Sequence, residues 1–232
     1  MGKLVEDSDL RDKSFAFEDR REAGGLLAKR LLSYKGTDTI VLAIPSGGIP
    51  IALEIADTID LPMDLIIARK LQIPYNPEAG FGAVGPDGEV IVNEELLDQL
   101  RLTEREIQKQ VKKTLDVIHQ RSRIFRGGHP FPEVADKTVI VVDDGLASGY
   151  TMLAAVRSLK KMRPKRVIVA VPTGSRRTID LVLDEVDLLV CLNVRSRFPF
   201  AVADAYRNWY DLGDDEVLSL LKNKHFIART AI

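Results

Sequence analysis

The chain has 232 residues, of which 45% are hydrophobic, and a formal net charge of −1. These values predict one globular domain with a full core, and the balanced charge gives no attraction to nucleic acid or to a membrane surface. The single cysteine, Cys191, excludes an intrachain disulfide, the first residues are too charged for a signal peptide, and no apolar stretch reaches the length of a membrane span. We therefore expect a soluble, cytoplasmic protein.

The first third of the chain predicts an extended arm followed by alternating strands and helices. Residues 1–17 show no clear periodicity, and Glu18–Tyr34 has the leucine spacing of an amphipathic helix that turns Arg20 to solvent. The small residues Pro45–Gly48 follow the next strand, and the basic pair Arg69-Lys70 follows the strand after that. The elements predicted here are a strand over Thr39–Ile44, a helix over Ile49–Ile59 and a strand over Met63–Ala68.

Residues 71–92 differ from the rest of the chain because they are rich in glycine and proline. Within them, Phe81–Val84 and Glu89–Val92 are predicted to pair as a hairpin across Pro86-Asp87-Gly88. A segment of this composition is typical of a flexible flap over a binding site. We therefore predict a flap over residues 71–92.

Two helices are predicted next. Glu94–Leu100 has the pattern of a short helix, and Thr103 with Glu106 forms a capping box that opens a second helix ending at about Phe125. The second helix is highly charged, which predicts a solvated face. We interpret it as a structural connector.

The stretch Thr138–Thr151 is the most informative part of the chain. The β-branched run Val139–Val142 predicts a strand buried on both faces, and Asp143-Asp144 follow at its carboxyl end. The small residues Gly145–Gly149 then lead into a helix that begins near Thr151, and free N–H groups and hydroxyls at such a point form an anion site. Two carboxylates would repel a bare phosphate, so the pattern favours a phosphorylated sugar or a magnesium ion bound to it.

The last third predicts two more strands and two helices. Residues 195–213 have no regular period but hold five aromatic residues, which favours core or dimer contacts and leaves open a hood that stacks on a base. Asp214 or Asp215 caps a final helix that ends at about Lys222. The regular elements predicted before this segment are a strand over Arg166–Val171, a helix over Ser175–Asp184 and a strand over Val186–Leu192.

Strands that alternate with helices predict an α/β fold with a parallel, Rossmann-like sheet. No internal repeat or low-complexity linker divides the chain, so we predict a single domain over residues 1–232. Ligands of such sheets bind at the carboxyl ends of the strands. This rule places Ser46–Gly48, Arg69-Lys70 and Asp143–Thr151 on one rim, with two anion sites and an acid pair between them.

The acid pair and the loop after it resemble the phosphoribosyl pyrophosphate (PRPP) motif of type I phosphoribosyltransferases. Asp143-Asp144, Ser148-Gly149 and Thr151 match that motif in residue type and spacing, whereas Gly145 stands where an aliphatic residue is commoner. The resemblance implies a type I phosphoribosyltransferase fold with a flexible loop and a small C-terminal hood. It also implies an Mg²⁺-dependent transferase of nucleotide metabolism that uses PRPP and a small nitrogenous acceptor.

The resemblance assigns roles to individual residues. Asp143 and Asp144 would hold the ribose hydroxyls and contact magnesium indirectly, through water or those hydroxyls, and Arg69 or Lys70 would bind pyrophosphate. The first loop of the family often contains a non-proline cis peptide. The substrate-binding residues implied are Ser46, Gly47 and Gly48 for pyrophosphate, and Gly145, Leu146, Ala147, Ser148, Gly149, Tyr150 and Thr151 for the ribose 5-phosphate.

Over roughly residues 17–222 the chain resembles a poorly characterised bacterial and archaeal branch of that family. The branch shares Gly145 but commonly has arginine where Ser46 stands, so pyrophosphate binding is expected to be weaker here. Its recurring pieces include Asp19–Gly24 and Trp209-Tyr210. Ala147 argues against the subclass that uses hypoxanthine and guanine. The identity of the acceptor base stays open, and so does the question of whether the protein forms a homodimer.

Two other functions remain. One is a PRPP or nucleotide sensor without turnover, which Ser46 favours and the intact Asp143-Asp144 and Arg69-Lys70 disfavour. The other is a sugar-phosphate hydrolase, which would have no use for the second anion loop. His119, His129 and His225 lack the spacing of metal ligands, so we expect no zinc site.

Overall fold

The computed structural model describes residues 2–229, and its main feature is a six-stranded, fully parallel sheet in the order β1-β9-β8-β7-β2-β3. A smaller antiparallel sheet has the order β4-β5-β6. The strands of these residues are β1 (Lys3–Glu6), β2 (Thr39–Ala43), β3 (Met63–Leu65), β4 (Arg69–Ile73), β5 (Asn76–Val84), β6 (Val90–Val92), β7 (Thr138–Val142), β8 (Arg166–Ser175) and β9 (Leu188–Arg195).

Helices cover both faces of the parallel sheet. In β7, Ile140 and Val142 pack on one side with α1, α2 and α7, while Val139 and Val141 pack on the other with α5 and α6. This alternation explains why the strand is apolar throughout. The helices are α1 (Arg20–Arg30), α2 (Gly48–Ile59), α3 (Glu94–Leu100), α4 (Glu104–Arg126), α5 (Tyr150–Lys160), α6 (Arg176–Leu183) and α7 (Asp214–Leu220). No helix in residues 2–229 is long and apolar enough to cross a membrane.

The glycine-rich segment forms most of the smaller sheet. The predicted hairpin is confirmed, since β5 pairs with β6. In this pairing Gly82 lies opposite Val92, Ala83 opposite Ile91 and Val84 opposite Val90. Leu71 and Phe81 are fully buried in the core. At the hairpin turn, Asp87 accepts hydrogen bonds from Ser158 of α5 and from Lys161 just after that helix, which anchors this end of the segment. The mobility of residues 71–92 stays a prediction.

Several predicted elements need correction. The arm is wrong in part, because β1 extends the sheet by pairing in parallel with β9. β3 ends at Leu65, and Arg69-Lys70 begin β4 of the small sheet instead of ending a parallel strand. The solvent-facing position of Arg20 is also wrong, since only 6% of this residue is exposed. The capping box of α4 is confirmed, with Thr103 and Glu106 bonded to each other's backbone.

Candidate active site

The predicted loops meet around one cavity of about 580 Å³ beside the carboxyl ends of β2 and β7. Because these strands pair in parallel, the loops that follow them leave the sheet at the same edge. We call this space the main cavity. Its lining includes Ser46, Gly47, Arg69, Lys70, Asp143, Asp144, Gly145, Leu146, Ala147, Ser148, Gly149 and Thr151, all predicted, together with Arg20, Arg121, Val202, Trp209, Asp211 and Leu212.

The cradle loop, Ala147–Thr151, forms one end of the main cavity. Gly149 precedes α5 with a φ of 81°, a left-handed conformation that glycine adopts without steric cost. Thr178 of α6 donates from Oγ1 to the Ala147 carbonyl at 2.6 Å, which fixes the loop from the opposite side. In the described chain, the backbone N–H groups of Ala147, Ser148 and Gly149 have no hydrogen-bond partner. The loop therefore offers an anion site.

The glycine loop, Pro45–Gly48, forms the opposite side. Its Pro45–Ser46 peptide bond is cis, which confirms the expectation drawn from the family resemblance. Gly47 lies against the second acid so closely that an added Cβ would stand 1.8 Å from Asp144 Oδ2. Any side chain at this position would displace the carboxylate. The glycine loop and the acid pair are thus packed as one unit.

The two acids occupy different environments. Asp144 Oδ2 accepts hydrogen bonds from Arg20 Nε at 3.0 Å and Nη2 at 2.9 Å, so the pair is charge-assisted and bidentate on the arginine side. Asp143 has no arginine partner in residues 2–229, and its Oδ1 accepts from the backbone N–H of Asp144 at 2.8 Å. Asp143 is therefore the acid without a direct cation.

Burial makes ionisation of both carboxyls costly. The pKa of Asp143 lies well above its usual range, because the group is desolvated and because the neighbouring Asp144 carboxylate repels a second negative charge. Desolvation also raises the pKa of Asp144, and the Arg20 guanidinium opposes that rise. A cation brought by a ligand would favour the ionised form of both groups.

Aromatic residues from the C-terminal segment hold Arg20 in place. Its guanidinium lies 4.0 Å from the ring centroid of Trp209, and its Nη1 donates to the Tyr210 carbonyl at 2.9 Å. Tyr206 donates from its hydroxyl to the Asp144 carbonyl at 2.6 Å, and its ring packs 5.7 Å from that of Phe17. The predicted hood segment therefore supports the acid pair directly.

A basic wall completes the main cavity. Arg69 and Lys70 stand at the start of β4, as the two cations predicted on the rim. Arg121 joins them from α4, where its Nη1 lies 3.4 Å from Ser46 Oγ and its Nη2 3.0 Å from Asp214 Oδ1. The helix interpreted as a structural connector therefore also contributes one side chain to the wall of the main cavity.

Comparison with known proteins identifies the family. Residues 17–205 match the phosphoribosyl transferase domain family. The chain belongs to this family. Two curated relatives come from Mycobacterium tuberculosis strains H37Rv and CDC 1551 and are provisionally named phosphoribosyl transferases. Each is 34% identical over 209 residues, which make up 90% of this chain and 47% of the relative, so the chain spans about half their length.

A solved structure has a similar fold. The crystal structure of TT1426 from Thermus thermophilus is similar with a TM-score of 0.71 and 31% sequence identity, covering 90% of this chain and 98% of that chain. The phosphoribosyltransferase family and its type I fold, predicted from the acid pair and its loop, are confirmed.

The unusual Gly145 has a structural reason. A Cβ at this position would stand 2.6 Å from Val202 Cγ1 and 3.0 Å from Thr173 Cγ2. Val202 belongs to the C-terminal segment and itself lines the main cavity. The space that a side chain would take is thus occupied by Val202 and Thr173.

Two predicted substrate-binding residues do not line the main cavity. Gly48 is buried under the end of β7, and Tyr150 lines a separate cavity on the far side of the cradle loop. Sequence reasoning in turn missed Arg20 and Arg121. Asp19–Gly24 and Trp209-Tyr210 are both recurring pieces of the family branch that the chain resembles, and this was a signal for Arg20. The sequence of α4 gave no local signal for Arg121.

Proposed function

We propose that this chain transfers the ribose 5-phosphate group of PRPP to a small nitrogenous acceptor and releases pyrophosphate. One observation carries the proposal: the cradle loop and the glycine loop face a single cavity with an acid pair between them. PRPP has the same order of groups, namely a phosphate, a ribose with two free hydroxyls and a pyrophosphate at C1. The match supports binding of the whole molecule.

Each group of PRPP has a matching element. The cradle loop would accept the 5-phosphate on its N–H groups and on the Ser148 and Thr151 hydroxyls. Asp143 and Asp144 would accept hydrogen bonds from the ribose hydroxyls. The glycine loop, with Arg69 and Lys70, would bind the pyrophosphate.

The residues also fit a magnesium ion that arrives with the substrate. Among the side chains that the structure describes, no cluster of three or more His, Cys, Asp or Glu residues could hold a metal ion. Two neighbouring carboxylates with little other protein ligation suit Mg²⁺, which is usually held by one or two carboxylates plus phosphate oxygens and water. Asp143 and Asp144 would hold the ion indirectly, through water or the ribose hydroxyls. When bound, it would supply charge neutralisation to the pyrophosphate.

The chain's own residues would then favour displacement at C1. The acceptor nitrogen forms a bond to C1 while the C1–O bond breaks, and the pyrophosphate leaves with that electron pair. Positive charge grows on the ribose during this step, and the Asp143 and Asp144 carboxylates stabilise it. Arg69 and Lys70 stabilise the negative charge that grows on the leaving group. The acceptor would approach from the side of Val202, Trp209 and Leu212.

The test is a binding and turnover experiment. PRPP with magnesium should bind to the protein, and a panel of nitrogenous bases should include one that releases pyrophosphate. Binding without release for any acceptor would favour the alternative, a sensor of PRPP or nucleotides. Absence of PRPP binding would contradict both.

A further inference from the structure

Arg121 is the only residue of α4 that lines the main cavity within the described chain. Its side chain is 22% exposed, and its guanidinium lies 5.5 Å from the centroid of the Phe125 ring one helical turn further on. Phe125 is buried, so this contact places the guanidinium at the edge of the core. The guanidinium is therefore held at a defined place, with its remaining N–H groups available to the cavity.

Two contacts aim the guanidinium at the glycine loop. Nη1 lies 3.4 Å from Ser46 Oγ, which is beside the cis Pro45–Ser46 peptide, and Nη2 donates to Asp214 Oδ1 at 3.0 Å. Asp214 opens α7 and its side chain is 48% exposed. The longer contact to Ser46 is a weak hydrogen bond and leaves room for a stronger acceptor.

The charges around Arg121 also call for an anion. The pKa of Arg69 is lowered by burial and by the nearby Arg121, so these two guanidinium groups repel each other across the same wall of the cavity. Lys70 adds a third cation to this wall. Asp214 is the carboxylate bonded to Arg121, and an exposed pair of this kind contributes little free energy. A multiply charged anion would relieve the repulsion.

We propose that Arg121 binds the pyrophosphate group of PRPP, and the pyrophosphate product, beside the glycine loop. This inference rests on the proposed function. A guanidinium can donate two parallel hydrogen bonds to phosphate oxygens, which Ser46 by itself cannot replace. In this chain the cation at the glycine loop thus comes from a helix that lies far from it in sequence. The Asp214 carboxylate keeps the guanidinium in place until the anion takes over that contact.

The test separates the two ends of the substrate. Wild type and Arg121→Gln are titrated calorimetrically with inorganic pyrophosphate, with PRPP and with ribose 5-phosphate, each with magnesium. Loss of Arg121 should weaken pyrophosphate and PRPP by about 10- to 100-fold, the size expected for charge-assisted hydrogen bonds. The affinity for ribose 5-phosphate should not change, because the cradle loop lies at the other end of the cavity.

Two variants serve as controls. Arg123→Gln removes the same charge from an exposed position two residues along α4, and should bind all three ligands as wild type does. Arg121→Lys keeps the charge but not the guanidinium that donates two parallel hydrogen bonds. It should recover part of the lost affinity for pyrophosphate and PRPP. Circular dichroism melting of each variant checks that it is folded.

Each outcome has a distinct meaning. If wild type binds PRPP and Arg121→Gln binds pyrophosphate equally well, the role of Arg121 is contradicted and the proposed function stands. An equal loss for ribose 5-phosphate would also contradict the role, since it would indicate a general disturbance. If wild type binds neither PRPP nor pyrophosphate, the inference and the proposed function fail together.

Discussion

Two largely buried arginine–aspartate pairs lie in different regions of this molecule, and only one of the two faces a cavity. Arg126 donates from Nη1 to Asp64 at 2.7 Å, and their side chains are 3% and 1% exposed. Arg20 donates from Nε and Nη2 to Asp144 at 3.0 and 2.9 Å, and these side chains are 7% and 16% exposed. The first pair lies under the end of α4, and the second opens on the main cavity.

The difference shows that burial of a charge does not by itself indicate a functional site. Arg126 also donates to the carbonyls of Leu65, His129 and Pro130, so its charge is used to join chain segments. The pKa of Asp64 is nevertheless raised to about 6 by desolvation. Asp144 shares its surroundings with a second acid, two loops and open space. What distinguishes the candidate site is its opening to the cavity and the second acid and two loops around Asp144, rather than burial.

The largest predicted effect comes from breaking the fully buried pair of Arg126 and Asp64. Asp64→Ala leaves the Arg126 guanidinium buried without its carboxylate, and should lower the free energy of unfolding by about 3–5 kcal/mol. Asp144→Ala should cost less, because Arg20 can then be reached by water from the cavity. Urea denaturation of both variants measures the difference. Equal losses would contradict the contrast between the two pairs.

The second prediction concerns the open pair. Arg20→Met removes the cation that lowers the pKa of Asp144, so the acid is harder to ionise and its orientation is lost. PRPP affinity should fall by about 10- to 100-fold, as expected for loss of a charged hydrogen-bond partner. Arg21→Met changes an exposed neighbour on the same helix and should bind PRPP normally. A wild-type affinity for Arg20→Met would show that the pair is only structural.

The third prediction uses the contact between the glycine loop and the acid pair. Gly47→Ala would place a methyl group on the Asp144 carboxylate, so the carboxylate must move. PRPP affinity should fall by about tenfold, a shift of about 1.4 kcal/mol. Gly25→Ala is the matched control, since a Cβ there meets its nearest atom at 3.9 Å. The idea fails if both alanine variants bind PRPP equally.

The smallest effect is a pH dependence. Because the pKa of Asp143 is raised, this group takes up a proton at a higher pH than an ordinary aspartate does. At constant magnesium, PRPP affinity should therefore weaken as the pH falls through that raised pKa, by up to about tenfold per pH unit for one proton. Asp143→Asn should bind weakly with no such slope. An unchanged slope in that variant would assign the titration to another group.

The sequence predicted the parts of the site that are local. Asp143–Thr151 follows a strand and opens a helix, so its place at the edge of the sheet follows from the pattern alone. The same holds for the Pro45–Gly48 loop. The sequence shows that positions 145 and 47 are glycines but not why. The atoms that exclude a side chain there belong to Val202 and Asp144, respectively.

The missed residues depend on contacts between distant segments. Arg20 reaches Asp144 because Phe17 pairs with Tyr206, which closes the N-terminal segment onto the hood. The amphipathic spacing of α1 could not reveal this, because it assigns the helix side that carries Arg20 to solvent. In the structure that side is covered by Trp209, on which the Arg20 guanidinium stacks. Arg121 is likewise one basic residue among many on α4, and only the packing of that helix selects it.

The most direct test of the central claim is a calorimetric titration of PRPP into wild type and Asp144→Asn, with magnesium present and with magnesium chelated. Binding to wild type should need magnesium, and Asp144→Asn should lose that binding while its fold is retained. Binding that is equally tight in both proteins, or that ignores magnesium, would contradict an acid pair that holds the ribose of PRPP.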